Sequence, residues 1–185
     1  MKRIFLAGLT AGVVVYVWGV VAYMGLGLGD EGIEILPNED VVMLALRQSI
    51  PDEGFYMFPG LDHNVEITDA AEAAWTEKYR QGPTGLLIYH PYGSEPMTGS
   101  NFGIQFLGQF LCGLLAAFVV SRMTAGCGAK MVAVLFFPLF AWLSVHLPQW
   151  NLYGFPGDYI FGQLVIMLVG WLLAGWAMTR LLRTK

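Results

Sequence analysis

Residues 102–123 read FGIQFLGQFLCGLLAAFVVSRM, twenty-two positions with no acid and a single base, Arg122, near the far end. A helix rises about 1.5 Å per residue, so this stretch matches the roughly 30 Å hydrocarbon layer of a bilayer. Lipid offers the backbone no water to bond to, which makes a continuous helix the expected form. Three more stretches read the same way: 4–26, 131–150 and 159–182, free of Asp, Glu, Lys and Arg except for Arg180 near the end of the last. Composition agrees, with 56% hydrophobic residues, 13% charged residues and a mean hydropathy of +0.55, against roughly 25% charged residues in soluble domains. The expected fold is a mainly α membrane protein, a bundle of four transmembrane helices with a small α+β extracytoplasmic cap, residues 27–101, between the first and second. Met1-Lys2-Arg3 before an apolar run resembles a signal peptide, but the run is longer than the usual apolar core and no A-x-A site follows, so a retained anchor is expected.

The charges give the bundle a direction. Lys2 and Arg3, Arg122 and Lys130, and Arg180, Arg183 and Lys185 flank the spans on one side, seven of the ten bases. Residues 27–101 carry thirteen of the fourteen acids and only three bases, and the last acid, Asp158, falls between the third and fourth spans. Bases are retained in the cytoplasm, so both termini are expected there and the acidic segment outside. That acidity argues against nucleic acid and anionic lipid as its ligands, since both would be repelled.

Within the segment, Asn38 before Glu39 and Asp40 reads as the cap of a helix over 39–49 that Pro51 stops. Thr68 before Asp69 caps a second helix to about Arg80, closed by Gly82-Pro83. Residues 55–58 and 86–89 read as strands that pair as a ribbon. The Phe55-Tyr56-Met57-Phe58 run is read as cap core, with a partner-facing surface as the alternative.

Chemistry is sparse. His63, His90 and His146 all fall on the outer side, and with Asp62 and Glu66 nearby they are candidates for zinc or copper, though their spacing fits no ligand motif. Gln105 and Gln109 share a face of the second span, and Ser144 and His146 on the third and Gln163 on the fourth sit at similar depth. Polar side chains in lipid need partners; helix adhesion is the plain reading, and a polar cavity for a small molecule, a lipid or a quinone head group is the sharper one. Gly8-x-x-x-Gly12, Gly113-x-x-x-Ala117 and Gly170-x-x-x-Ala174 allow close helix approach, within the chain or against a partner. Pro138 is expected to kink the third span. The aromatic stretch from Trp150 to Pro156 reads as an interfacial belt. The two cysteines, Cys112 and Cys127, are too far apart along a helical run to bridge. No G-x-S-x-G, H-E-x-x-H, C-x-x-C or phosphate-binding loop occurs, and no ionisable group lies deep in a span, which disfavours a proton or ion path.

Leu36-Pro37-Asn38-Glu39, residues 54–60 (GFYMFPG), Gly82-Pro83-Thr84-Gly85, Tyr89-His90-Pro91 and residues 150–156 together resemble small bacterial inner-membrane proteins of four spans and unknown function. The resemblance implies a bacterial source and brings no activity. The expected role is non-enzymatic: an accessory or structural subunit, with no cofactor, that packs against another membrane protein or a second copy of itself. The alternative is small-molecule, lipid or metal binding at the outer polar cluster.

Overall fold

The computed structural model describes residues 1–62, 64 and 66–182; His63, Arg183 and Lys185 lie outside the described residues. The elements in order are α1 (Lys2–Val20), which continues as a π-helical turn (Val21–Gly25); α2 (Glu39–Ser49); β1 (Gly54–Phe58); α3 (Asp69–Gln81); β2 (Gly85–Tyr89); α4 (Gly99–Ser121); α5 (Cys127–Ala141), which continues through a second π-helical turn (Trp142–His146) into α6 (Leu147–Tyr153); and α7 (Gly157–Leu181). Four continuous helices, Lys2–Gly25, Gly99–Ser121, Cys127–Tyr153 and Gly157–Leu181, are long and apolar enough to cross a membrane. The chain divides into two compact units, Met1–Ile33 with Met97–Lys185, and Glu34–Pro96.

In the helical unit α1 packs against α4 on one side and α7 on the other, α5 packs on α7, and α4 makes few contacts with α5. The helices therefore follow the spatial order α4, α1, α7, α5, an open arrangement rather than a closed ring. Small residues explain the tight pairs. A Cβ on Gly12 would stand 2.7 Å from Phe110 Cα, one on Gly8 2.8 Å from Leu114 Cα, and one on Gly113 2.8 Å from Gly12 N. The first two small-residue motifs thus meet each other within the chain. In the third, Gly170 lies under the Trp18 indole, its virtual Cβ 2.8 Å from Cδ1, and Ala174 is fully buried. Around the crossing, Ala7, Ala11, Ala116, Ala117, Val120, Val134, Ala174 and Met178 form the core, toward the ends of the helices that carry the termini. Close van der Waals packing is what holds helices together where lipid supplies no hydrophobic drive between them.

The helix through the third span runs on past Pro138 and widens at Trp142–His146. It ends at Tyr153, where Gly154 takes a left-handed conformation, φ 73°. Residues 27–33 and 97–101, at the two ends of the segment read as the cap, cluster with the helical unit. Leu28 N–H donates to Ala22 O at 2.9 Å, and the Leu28 carbonyl and the Glu31 stem rest on Gly162. Gly32, φ 74°, sits against Pro156 and Tyr159.

The smaller unit is a helix-strand-helix-strand chain whose strands pair antiparallel, with Phe55 opposite Ile88 and Met57 opposite Leu86. Thr68 caps α3 as expected, its Oγ1 accepting from Ala71 N–H at 3.2 Å. Asn38 does not cap through its side chain; it holds a left-handed backbone, φ 54° and ψ 42°. Trp75 ties α3 to the end of the ribbon, its Nε1 donating to Pro59 O at 3.0 Å. The run over residues 55–58 does not form a core: Phe55, Met57 and Phe58 are exposed, as is Ile88. A ribbon alternates its side chains between two faces, and among the described residues none buries the face that bears Phe55, Met57 and Ile88.

Candidate functional site

The consequence of the open helix order is a cleft. Between α4 and α5, with α1 and α7 behind, lies a cavity of about 430 Å³ lined by residues of all four helices, among them Trp18, Tyr23, Gln109, Phe137, Gln163 and Trp171. Its size falls within the roughly 300–1,000 Å³ of small-molecule pockets. A neighbouring cavity of about 560 Å³ lies between the loop-side ends of α1 and α4 and shares Tyr23, Gln105 and Gln109 with the first. Where the glycine crossing gives way to the Tyr16–Phe106 edge-to-face pair, centroids 5.4 Å apart, bulk replaces the bare backbone that allowed close approach.

The most telling wall residue is Gln163. It sits on α7, the most enclosed of the four long helices, and is only 6% exposed. Tyr23 reaches it from the first π-helical turn, its hydroxyl donating to Gln163 Oε1 at 2.7 Å. Gly29 lies flat against the Tyr23 ring, where any Cβ would collide with it, so the returning chain pins the phenol. Gln163 Nε2 is buried and has no hydrogen-bond partner among the described residues. Burying an amide donor unpaired costs about 1–3 kcal/mol, which makes such a group a pointer to an acceptor.

Two indoles brace the same helix. Trp18 Nε1 donates to Ile166 O and Trp142 Nε1 to Ile160 O, each at 2.9 Å. The first is possible because Gly170 leaves the carbonyl one turn before it uncovered by a side chain. π-Helical turns insert one residue into a helix without lengthening it and recur at functional sites. Here each places an aromatic donor, Tyr23 or Trp142, against α7.

Of the polar cluster expected from the sequence, the structure brings Gln105, Gln109 and Gln163 to the cleft wall and leaves Ser144 and His146 off it. Ser144 is exposed, its Oγ donating to Phe140 O at 2.7 Å within its own helix. It follows Trp142 by two positions and so faces away from α7. His146 Nδ1 is 2.9 Å from Gln149 Oε1, also within its own helix. His90 lies 3.5 Å from Glu53 through Nδ1, an exposed pair set by the register that aligns Gly54 with Tyr89. No three His, Cys, Asp or Glu side chains converge as a metal site among the described residues.

Trp18 and Tyr23 are cleft residues that the polar census of the spans passes over. Their signal is that Trp and Tyr each carry one hydrogen that must find an acceptor once buried. The described lining contains no Asp, Glu, Lys, Arg or His, so the cleft offers amides, aromatic faces and one thiol, Cys112. No protein-family model, no curated protein and no solved structure matches this chain.

Proposed function

We propose that this chain is a multi-pass protein of a bacterial inner membrane, its termini cytoplasmic and residues 27–101 periplasmic, that binds a small lipid-soluble molecule in the cleft without transforming it. The observation that carries the reading is the buried Gln163 amide, its Nε2 unpartnered among the described residues at the wall of a 430 Å³ cavity. The charge asymmetry supports the orientation. The test is purification of the intact chain in mild detergent, followed by mass spectrometry of whatever small molecules come with it. One organic species near stoichiometry is expected, and it is depleted in Ala141→Trp, which places an indole on the cleft wall. Folded protein carrying nothing, from several native extractions, would count against binding.

A second reading, that of an accessory subunit, draws on a different observation. Val132, Phe136, Phe140 and Leu143 of the third long helix are exposed, and that helix makes few contacts with α4. A helix of another membrane protein, or of a second copy, has room to lie along it. Cross-linking in native membranes separates the two: an accessory subunit yields a discrete higher-mass product, whereas a self-sufficient binder runs as a monomer.

A further inference from the structure

We infer that the occupant of the cleft is a flat, lipid-soluble ring compound with carbonyl groups at its edge, one of whose oxygens accepts a hydrogen from Gln163 Nε2. The inference rests on the ligand-binding reading above and narrows it to a chemical class.

The side-chain amide is oriented by its other end. Oε1 carries no hydrogen, so at 2.7 Å the Tyr23 hydroxyl is the donor and Oε1 the acceptor. Both hydrogens of Nε2 are then without a partner among the described residues, and a ligand that satisfies them must present an acceptor. A hydrocarbon tail has none. A phosphate or carboxylate has acceptors, but an anion buried without a counter-charge is costly, and no Lys, Arg or His lines the cavity among the described residues. A neutral carbonyl oxygen meets the requirement.

The walls argue for a ring. Phe137 and Trp171, with centroids 6.2 Å apart and planes inclined at 38°, line the cavity together with the Trp18 indole. Trp18 has already committed its N–H to Ile166 O, so it presents an apolar face and no competing donor. Aromatic surfaces of this kind favour flat partners in offset or edge contact. On the α4 wall, Gln105 and Gln109 stand four positions apart, one turn, and line the same cavity. They add further amide donors to the lining, which suits a ring with more than one carbonyl. That is the chemistry of a quinone head group. An apolar tail attached to it has an exit between α4 and α5, where Leu115 is exposed.

Native Cys112 lines the cavity and is exposed, so it serves as the reporter. The full chain in detergent is treated with N-ethylmaleimide, and alkylation is read from the mass of the Cys112 peptide. Two competitors of the same shape are compared: 2,3-dimethyl-1,4-naphthoquinone, whose methyl groups block addition of the thiol to the ring, and 2,3-dimethylnaphthalene, which lacks the oxygens. Concentrations are corrected for partition into micelles. The dione is expected to protect Cys112 at about one-tenth the concentration of the hydrocarbon, the worth of one buried amide satisfied. In Gln163→Leu that ratio collapses toward one. In Tyr23→Phe, which keeps the amide but frees it to turn, the ratio falls part of the way, and this variant decides the matter if Gln163→Leu does not purify as folded protein. Equal protection by the two compounds in the native chain, or a ratio unchanged in the variants, overturns the carbonyl assignment and leaves binding in the cleft standing. Absence of protection by either compound overturns both.

Discussion

Tyr23 and Gln163 share a single hydrogen bond of 2.7 Å between two helices, and losing the phenol oxygen leaves a buried amide oxygen without a donor. Tyr23→Phe is expected to cost about 0.5–1.5 kcal/mol, the range of interhelical polar contacts in membrane proteins, measured by reversible unfolding in mixed detergent micelles. A loss within error of zero would mean that the bond is not held in solution. Asn38 offers a sharper residue-scale test. Asn is common both as a side-chain cap and in the left-handed conformation, and its backbone here is left-handed with no side-chain cap bond. Asn38→Ser would be neutral for a cap but is expected to cost about 1 kcal/mol for a left-handed site. Asn38→Gly is expected to be neutral or slightly stabilising; thermal melts of the two variants decide it. Thr68 was legible as a side-chain cap because a β-branched residue is excluded from the left-handed region. Asn38 was ambiguous for the opposite reason, that its short amide suits both roles.

At the scale of elements, the glycine motifs of α1 and α4 make a paired prediction. Gly113→Ala drives a methyl group into the backbone of Gly8 and Gly12, and overpacking against backbone is expected to cost about 1–3 kcal/mol. Gly108→Ala on the same helix meets nothing within 4 Å and is expected to be neutral or mildly stabilising. Melting temperatures of the two proteins in one detergent measure the contrast; equal behaviour would place the α1–α4 crossing elsewhere. The spacing of small residues was readable as close approach, but not its partner, because Gly and Ala look the same whether they face the next span or another molecule. The π-helical turns were not readable. One extra residue in a turn changes neither composition nor hydropathy, and it shows only when Tyr23 and Trp142 are seen to face α7. Of the polar cluster, Gln105, Gln109 and Gln163 line the cleft while Ser144 and His146 do not, a distinction the sequence does not carry because similar depth along a span does not say which way a helix presents a side chain.

For the molecule as a whole, hydropathy sufficed for the four long helices, and the two compact units part after Ile33 and after Pro96, with Leu28, Glu31 and Gly32 resting on the start of α7. The smaller unit has Tyr89 as its one buried hydrophobic side chain among the described residues. A domain of this size is marginal even with a good core. Residues 34–96 expressed alone are therefore expected to lack a cooperative thermal transition and to give poorly dispersed amide resonances; a well-dispersed spectrum would contradict this.

The sparse contact between α4 and α5 has a last consequence, which concerns dose. In the proposed bilayer setting, a molecule reaching the cleft through that gap arrives by lateral diffusion within the lipid, not from water. Occupancy then follows the mole fraction of the compound in the bilayer, and its aqueous concentration matters only through partitioning. A lipid-soluble compound is already concentrated where the opening lies, so a few amides and aromatic faces of modest intrinsic strength suffice to keep the site filled. If the cleft binds as proposed, its occupancy would report how much of that compound the membrane holds.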